Sequence, residues 1–128
     1  ALFTEIPGSS DAFEGGFVTY SNTLKEQLLG VSNESLKQYG AVSKEVAQEM
    51  AVGAKRVAKA DIAISITGVA GPGSSDNKPA GLVYLATAAG NAISTNQQHF
   101  KGTRSEVRLQ TVEYALTLLE DAIKHSFV

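Results

Sequence analysis

The chain has 128 residues, 43% of them hydrophobic, and 11 Lys and Arg against 13 Asp and Glu give it a formal net charge of -2. That length suits one domain with a real core, and near-balanced charge argues against a general nucleic-acid binder, which carries a basic surplus. The absence of cysteine excludes disulfides, thiol chemistry and thiolate metal sites and fits a reducing, cytoplasmic setting, while no apolar run approaches a membrane span and no leader-like pattern opens the chain.

Leu2, Phe3 and Ile6 read as the tail of an amphipathic helix whose start lies upstream, since the chain opens on Ala1 and not on Met. Pro7-Gly8-Ser9-Ser10 is turn chemistry, with Ser9 or Ser10 able to cap a short Asp11–Phe13 segment. Gly15-Gly16 then releases an apolar run, Phe17-Val18-Thr19-Tyr20, which predicts a strand. Asn22 is a good N-cap for a helix through Leu29, closed by Gly30. Ser32 or Asn33 opens a second short helix that ends at Gly40. Ser43, followed by Glu45 in the favourable first turn, predicts a third. Its apolar stripe is Val46, Ala47, Met50, Ala51, Ala54, Val57 and Ala58, and its small alanines let the helix lie close on a sheet. Met50 in that stripe is core filler.

The stretch Asp61 to Thr87 organises the rest. Ile62-Ala-Ile-Ser-Ile-Thr67 and Leu82-Val-Tyr-Leu-Ala are runs of strand length, and the first alternates imperfectly, as a strand covered on both faces does. Between them lies a loop rich in Gly and Pro, with a polar crossing through Asp76 and Lys78. Thr67-Gly68 falls where the first strand ends, and Gly71-Pro72-Gly73 forbids helix. Ligands of open α/β sheets bind just beyond strand ends, so this loop is either one wall of a small-molecule site or a plain connector. Ala89-Gly90-Asn91-Ala92 predicts a hairpin into a third strand, Ile93–Phe100, whose weak alternation suits an edge. Thr103-Arg-Ser-Glu106 matches a capping box for the last helix. Its expected buried stripe is Leu109, Val112, Leu116, Leu119 and Ile123, widened by Val107, Ala115 and Leu118. The element order favours a three-layer α/β/α sandwich with a mixed sheet.

Three features could carry chemistry. Arg104 and Arg108 stand one helical turn apart at the start of the last helix, where two guanidinium groups make a phosphate or carboxylate site. The other reading is two solvated arginines paired with Glu106 or other acids. With Asn22 as N-cap, Lys25 takes the third helical position, where acids are preferred. The positive dipole end plus partial burial would favour its neutral amine, the form a general base needs near pH 7. A misplaced surface lysine explains the same spacing. Tyr20 and Ser21 offer hydroxyls just before it. His99 and His125 lack partners at ligand spacing, and no acidic pair, metal cluster or Walker-type run is present. A hydrolase of the Ser/His/Asp kind finds no support.

Taken in order, Gly8-Ser9-Ser10, Gly16-Phe-Val-Thr-Tyr-Ser-Asn22 with Lys25, and Gly40-Ala-Val-Ser43 resemble the CinA C-terminal domain family. So do Thr67-Gly-Val-Ala-Gly-Pro-Gly73, Lys78-Pro-Ala-Gly81, and Arg104 with Arg108. The likeness spans nearly the whole chain, residues 1–128 forming one N-terminally truncated domain of this type. It implies a nicotinamide mononucleotide (NMN) deamidase, an amidohydrolase with a serine nucleophile and a lysine base, no cofactor, and a homodimer or higher oligomer. Family members occur alone or fused behind a larger domain, and their competence and damage-inducible associations leave a non-catalytic mononucleotide-binding or assembly domain as the alternative. By the resemblance Lys25 is the base, with Tyr20 and Thr67 beside it. Ser10, Ser21, Asn22, Gly68 and Gly71 line the site, and Arg104 and Arg108 meet the substrate phosphate. The family's Ser-Cys-Thr-Gly-Gly stretch, which holds the nucleophile on a first strand, is not in this sequence. The first strand is therefore expected to be missing from the fold.

Overall fold

The computed structural model describes residues 1–127, with seven regular elements and two 3-10 turns. Three strands, β1 (Ile62–Gly68), β2 (Leu82–Ala89) and β3 (Ala92–His99), pair in that order, antiparallel throughout. The β2–β3 hairpin closes through Ala89 opposite Ala92, with a positive φ of 58° at Gly90 and none at Asn91, the pattern of a type II′ turn. Helix α3 (Lys44–Ala58) covers one face of this sheet and α4 (Arg104–Phe127) the other, giving the three expected layers. Helices α1 (Asn22–Leu29) and α2 (Asn33–Tyr39) pack on α3.

The strand expected at Phe17–Tyr20 is extended but belongs to no ladder among the described residues. Val18 and Tyr20 are 86% and 87% exposed, while Phe17 and Thr19 turn inward. A strand is defined by a partner, and none of the three paired strands lies against this segment. The sheet they form therefore contains no parallel pairing, and a mixed sheet would require this segment or another to join it. At the N-terminus the expected helical tail is a single 3-10 turn, Leu2–Thr4, held by stacking of Phe3 on Phe13 at 5.1 Å. Gly8 occupies the N-cap of the second turn, so neither Ser9 nor Ser10 caps it.

Helix α3 is buried on two faces. Ala47 and Ala51 meet Ala86 and Ala88 of β2, and the Ser65 hydroxyl donates to the Ala47 carbonyl at 2.5 Å. Small side chains on both surfaces let the helix settle onto the strands. On its other face Val46 and Met50 join Leu29, Val31 and Leu36, so Met50 is core as read. Gly53 sits where the end of α1 crosses: a Cβ there would collide with the Leu29 carbonyl. The stripe is interrupted at Val57, which is exposed, while Ala58 at its expected end is half-buried.

Helix α4 buries the margin of its expected stripe, Val107, Ala115 and Leu118, and not its centre. Val107, Thr111 and Ala115 are buried, with Tyr114 and Leu118 packed beside them on Val83, Leu85, Ile64 and Phe100. Leu109, Val112, Leu116 and Ile123 are exposed, Leu109 by 61%. The helix carries apolar residues on more than one face, so hydrophobic spacing alone does not choose between them. Polar groups do: Thr111 returns its hydroxyl to the Val107 carbonyl at 2.7 Å, and the Tyr114 hydroxyl is bonded by Gln98 and donates to Asn96. These bonds allow Thr111 and Tyr114 to face the sheet without stranding a polar atom.

Candidate active site

Lys25 lies near the start of α1, one position further in than the spacing implied. Ser21 is the N-cap, its Oγ accepting from the Leu24 N–H at 3.1 Å, so Asn22 is the first helical residue. The Lys25 N–H is already bonded to the Ser21 carbonyl. The dipole argument therefore gives way to burial. The side chain is only 7% exposed, and burial pushes its pKa below the ordinary 10.5. Its Nζ donates to the Thr19 carbonyl at 2.7 Å, and among the described residues no carboxylate lies within ion-pair distance. A neutral amine in this position keeps that bond and retains a lone pair, which is the equipment of a general base.

A second group of residues gathers at the end of β1. Gly68 abuts Val83 and the Leu82 carbonyl so closely that a side chain would meet them at 2.8 and 2.9 Å. Beyond it, Gly71 (φ 94°) offers its carbonyl to Arg104 Nη1 at 2.6 Å. Arg108, exposed, flanks a groove of about 460 Å³ that it shares with Gly68, Ala70, Ser105, Ile66 and Leu109. The capping box forms as read. Thr103 N–H donates to Glu106 Oε1 at 2.9 Å and Glu106 N–H to Thr103 Oγ1 at 3.2 Å, the first of which lowers the Glu106 pKa most. Glu106 thus offsets the dipole that two cations at this helix end would otherwise oppose. Arg104 is spent in part on the loop, while no protein hydrogen bond engages Arg108 among the described residues.

The remaining expected residues divide between these groups or stand apart. Thr67 is buried and donates its hydroxyl to the Ala41 carbonyl at 2.7 Å, tying β1 to the α2–α3 junction. Tyr20 and Asn22 are exposed beside Lys25, and the Ser21 Oγ is occupied by its cap. Ser10 is exposed in the N-terminal turn. Lys25 belongs to the α3 side of the sheet and the arginines to the α4 side, and no described hydrogen bond or groove joins them. Two residues read only as a polar crossing, Asp76 and Lys78, reach the α2–α3 junction. Their signal was an Asp-Asn pair inside a glycine-rich crossing, which is turn chemistry.

Fold and candidate site together give an α/β/α domain with a buried amine on one side of its sheet and a groove flanked by Arg108 on the other. The chain belongs to the CinA C-terminal domain family, which it matches over residues 1–123. It is 52% identical over 121 residues to the nicotinamide-nucleotide amidohydrolase PncC of Escherichia coli, covering 92% of this chain and 73% of that protein. A putative competence-damage inducible protein of Caldicellulosiruptor saccharolyticus is 47% identical, but the shared part is only 29% of its length. The crystal structure of the competence/damage inducible protein CihA from Agrobacterium tumefaciens superposes with a TM-score of 0.88 at 45% identity, covering 93% of this chain and 74% of that one.

Proposed function

We propose that this protein is a nicotinamide-nucleotide amidohydrolase, converting NMN and water to nicotinic acid mononucleotide and ammonia. The observation that carries the reading is the buried amine of Lys25, bonded to the Thr19 carbonyl and paired with no described carboxylate, in a chain half identical to a relative bearing that activity in its name. A serine upstream of Ala1 attacks the carboxamide carbonyl while Lys25 takes its proton. The C–N bond breaks, ammonia leaves with that proton, and water then resolves the acyl-enzyme to the carboxylate product. Backbone N–H groups of the Thr67–Gly73 loop, or of the glycine turn that follows the nucleophile, hold the oxyanion. Arg108, with Arg104, meets the 5′-phosphate, and Gly68 and Gly71 let the substrate approach the loop backbone. Tyr20, Ser10, Ser21 and Asn22 line the remaining wall. Thr67 donates its hydroxyl to the Ala41 carbonyl, so its part is to hold the strand end in place.

Ammonia release from NMN tests the reading, measured on this chain and on one extended upstream of Ala1. Release by the extended protein alone is the expected result. A second reading, a mononucleotide-binding or assembly domain without chemistry, draws on the fact that no serine hydroxyl among the described residues bonds the Lys25 amine. Release from neither chain would favour it. The exposed Ile66, Leu109, Val112 and Leu116 also support self-association as a homodimer or larger assembly. A strictly monomeric particle in sedimentation at micromolar concentration would count against that. No described helix is long and apolar enough to cross a membrane.

A further inference from the structure

The connection between β1 and β2 is anchored in a way the reaction scheme does not use. At its tip Ser75 and Lys78 exchange two backbone hydrogen bonds, 3.0 and 2.8 Å, around Asp76 and Asn77. Both central residues have positive φ, 56° and 60°, which makes this a type I′ turn, and Asp and Asn tolerate that conformation better than other side chains. The turn projects two charged side chains onto the α2–α3 junction. Lys78 Nζ donates to the Val42 carbonyl at 2.6 Å and to the Tyr39 carbonyl at 3.2 Å. Asp76 Oδ2 accepts from the Val42 N–H at 3.4 Å, and its carboxylate fills the space over Gly40 that a Cβ would need.

With the Thr67 bond to the Ala41 carbonyl, every one of these junction groups is satisfied by a side chain of the β1–β2 segment. The dependence is mutual. Tyr39 ends α2 and its carbonyl has no helical partner, while Val42 precedes the α3 cap; both carbonyls would be left to solvent without Lys78. Lys78 itself forms no ion pair among the described residues, and its protein partners are the two carbonyls. The other flank of the same loop is pinned by Arg104 on the Gly71 carbonyl. The glycine loop is thus stretched between two cationic anchors, one on α4 and one of its own reaching to the α2–α3 junction.

We propose that Lys78, assisted by Asp76, is a positioning residue that clamps the Gly68–Gly73 loop in its site-forming shape. The proposal rests on the deamidase reading for its catalytic consequence but not for the clamp. Lys78→Met keeps the side chain's length and removes its donors. In the full-length protein, amides of residues 69–81 and 39–42 should then exchange with deuterium about tenfold faster or more, while those of β2, β3 and α4 keep their protection. In the same variant kcat/KM for NMN should fall about tenfold to a hundredfold through misplaced loop amides. The pH at which the rate half-develops should stay put, because Lys25 is untouched. Lys78→Arg restores donors to both carbonyls and should recover most of the loop protection and part of the rate.

Unchanged loop exchange in Lys78→Met overturns the clamp. Faster exchange with unaltered turnover overturns the positioning role. If Lys78→Met does not fold, Lys78→Arg decides: loop protection kept with turnover within about tenfold of the unmutated protein supports the clamp, and a larger loss of turnover with the loop intact would mean that the ammonium acts on substrate and not through the loop. An unmutated full-length protein that releases no ammonia refutes the deamidase reading alone, and the exchange measurements still judge the clamp.

Discussion

The two faces of the sheet differ in kind. On the α3 side, alanines of helix and strand interlock, Gly53 admits the end of α1, and Lys25 is buried with its amine on a single carbonyl. On the α4 side, one helical face packs and a second apolar face stays in water beside two exposed arginines. The closed side is suited to holding a group in an unfavourable protonation state, because little water reaches it. The open side is suited to capturing an anion, because a guanidinium without a protein partner is free for one. The proposed proton acceptor and the proposed phosphate contact thus fall on opposite layers, which no described groove joins.

Substitutions can break that division, and the largest effect is expected at Lys25. Lys25→Ala in the full-length protein should lower kcat by about 10²–10⁴-fold with KM little changed, the signature of a lost proton acceptor. Retained turnover in steady-state assays would remove the residue from the mechanism. On the open side Arg108→Glu should act the other way, raising KM for NMN about tenfold to a hundredfold with less effect on kcat, as expected for loss of a charge-assisted contact. An unchanged KM would free Arg108 of the phosphate.

Stability separates the faces further. Gly53→Ala forces a methyl group against the Leu29 carbonyl and should cost about 1–3 kcal/mol in urea unfolding, despite alanine's better helix propensity. A smaller shift comes from Lys25 through pH. Burial lowers its folded pKa below 10.5, so between that lowered value and 10.5 the unfolded chain binds more protons, and stability rises with pH across this window. Lys25→Met should abolish the rise, seen as a flatter dependence of the urea midpoint on pH. Least of all, Leu109→Ser on the exposed face of α4 should change stability by no more than about 0.5 kcal/mol. A larger loss would mean that this face is covered in solution, which sedimentation of the same variant would register.

The legibility of the chain follows the same line. Caps and turns were readable where one residue decides a local geometry: Ser43 on α3, the Thr103–Glu106 box, Gly30 and Gly40, the Gly90-Asn91 hairpin. The α3 stripe was readable through Ala54, because the surfaces it presents to the sheet and to α1 and α2 adjoin and are both covered. The α4 stripe was readable only at Val107, Ala115 and Leu118, since several bands compete and Tyr114 bonds Asn96 and Gln98 of β3. Phe17–Tyr20 has the composition of a strand, yet composition cannot supply a partner. At the site, Lys25 stood out as a cation out of place, and of the two causes expected, dipole and partial burial, burial is the one that lowers its pKa.

Local order, then, was written in the amino-acid sequence by itself: element boundaries, turn chemistry, the oddity of Lys25, and the motif series that marks the family. These depend on interactions among residues a few positions apart, which the linear order preserves. Tertiary structure alone decided which face of α4 is buried, that Thr67 spends its hydroxyl on Ala41, and that Lys78 reaches the carbonyls of Tyr39 and Val42. Each of those outcomes joins groups 26 or more positions apart or depends on what a second element presents, and no periodicity within one segment encodes it.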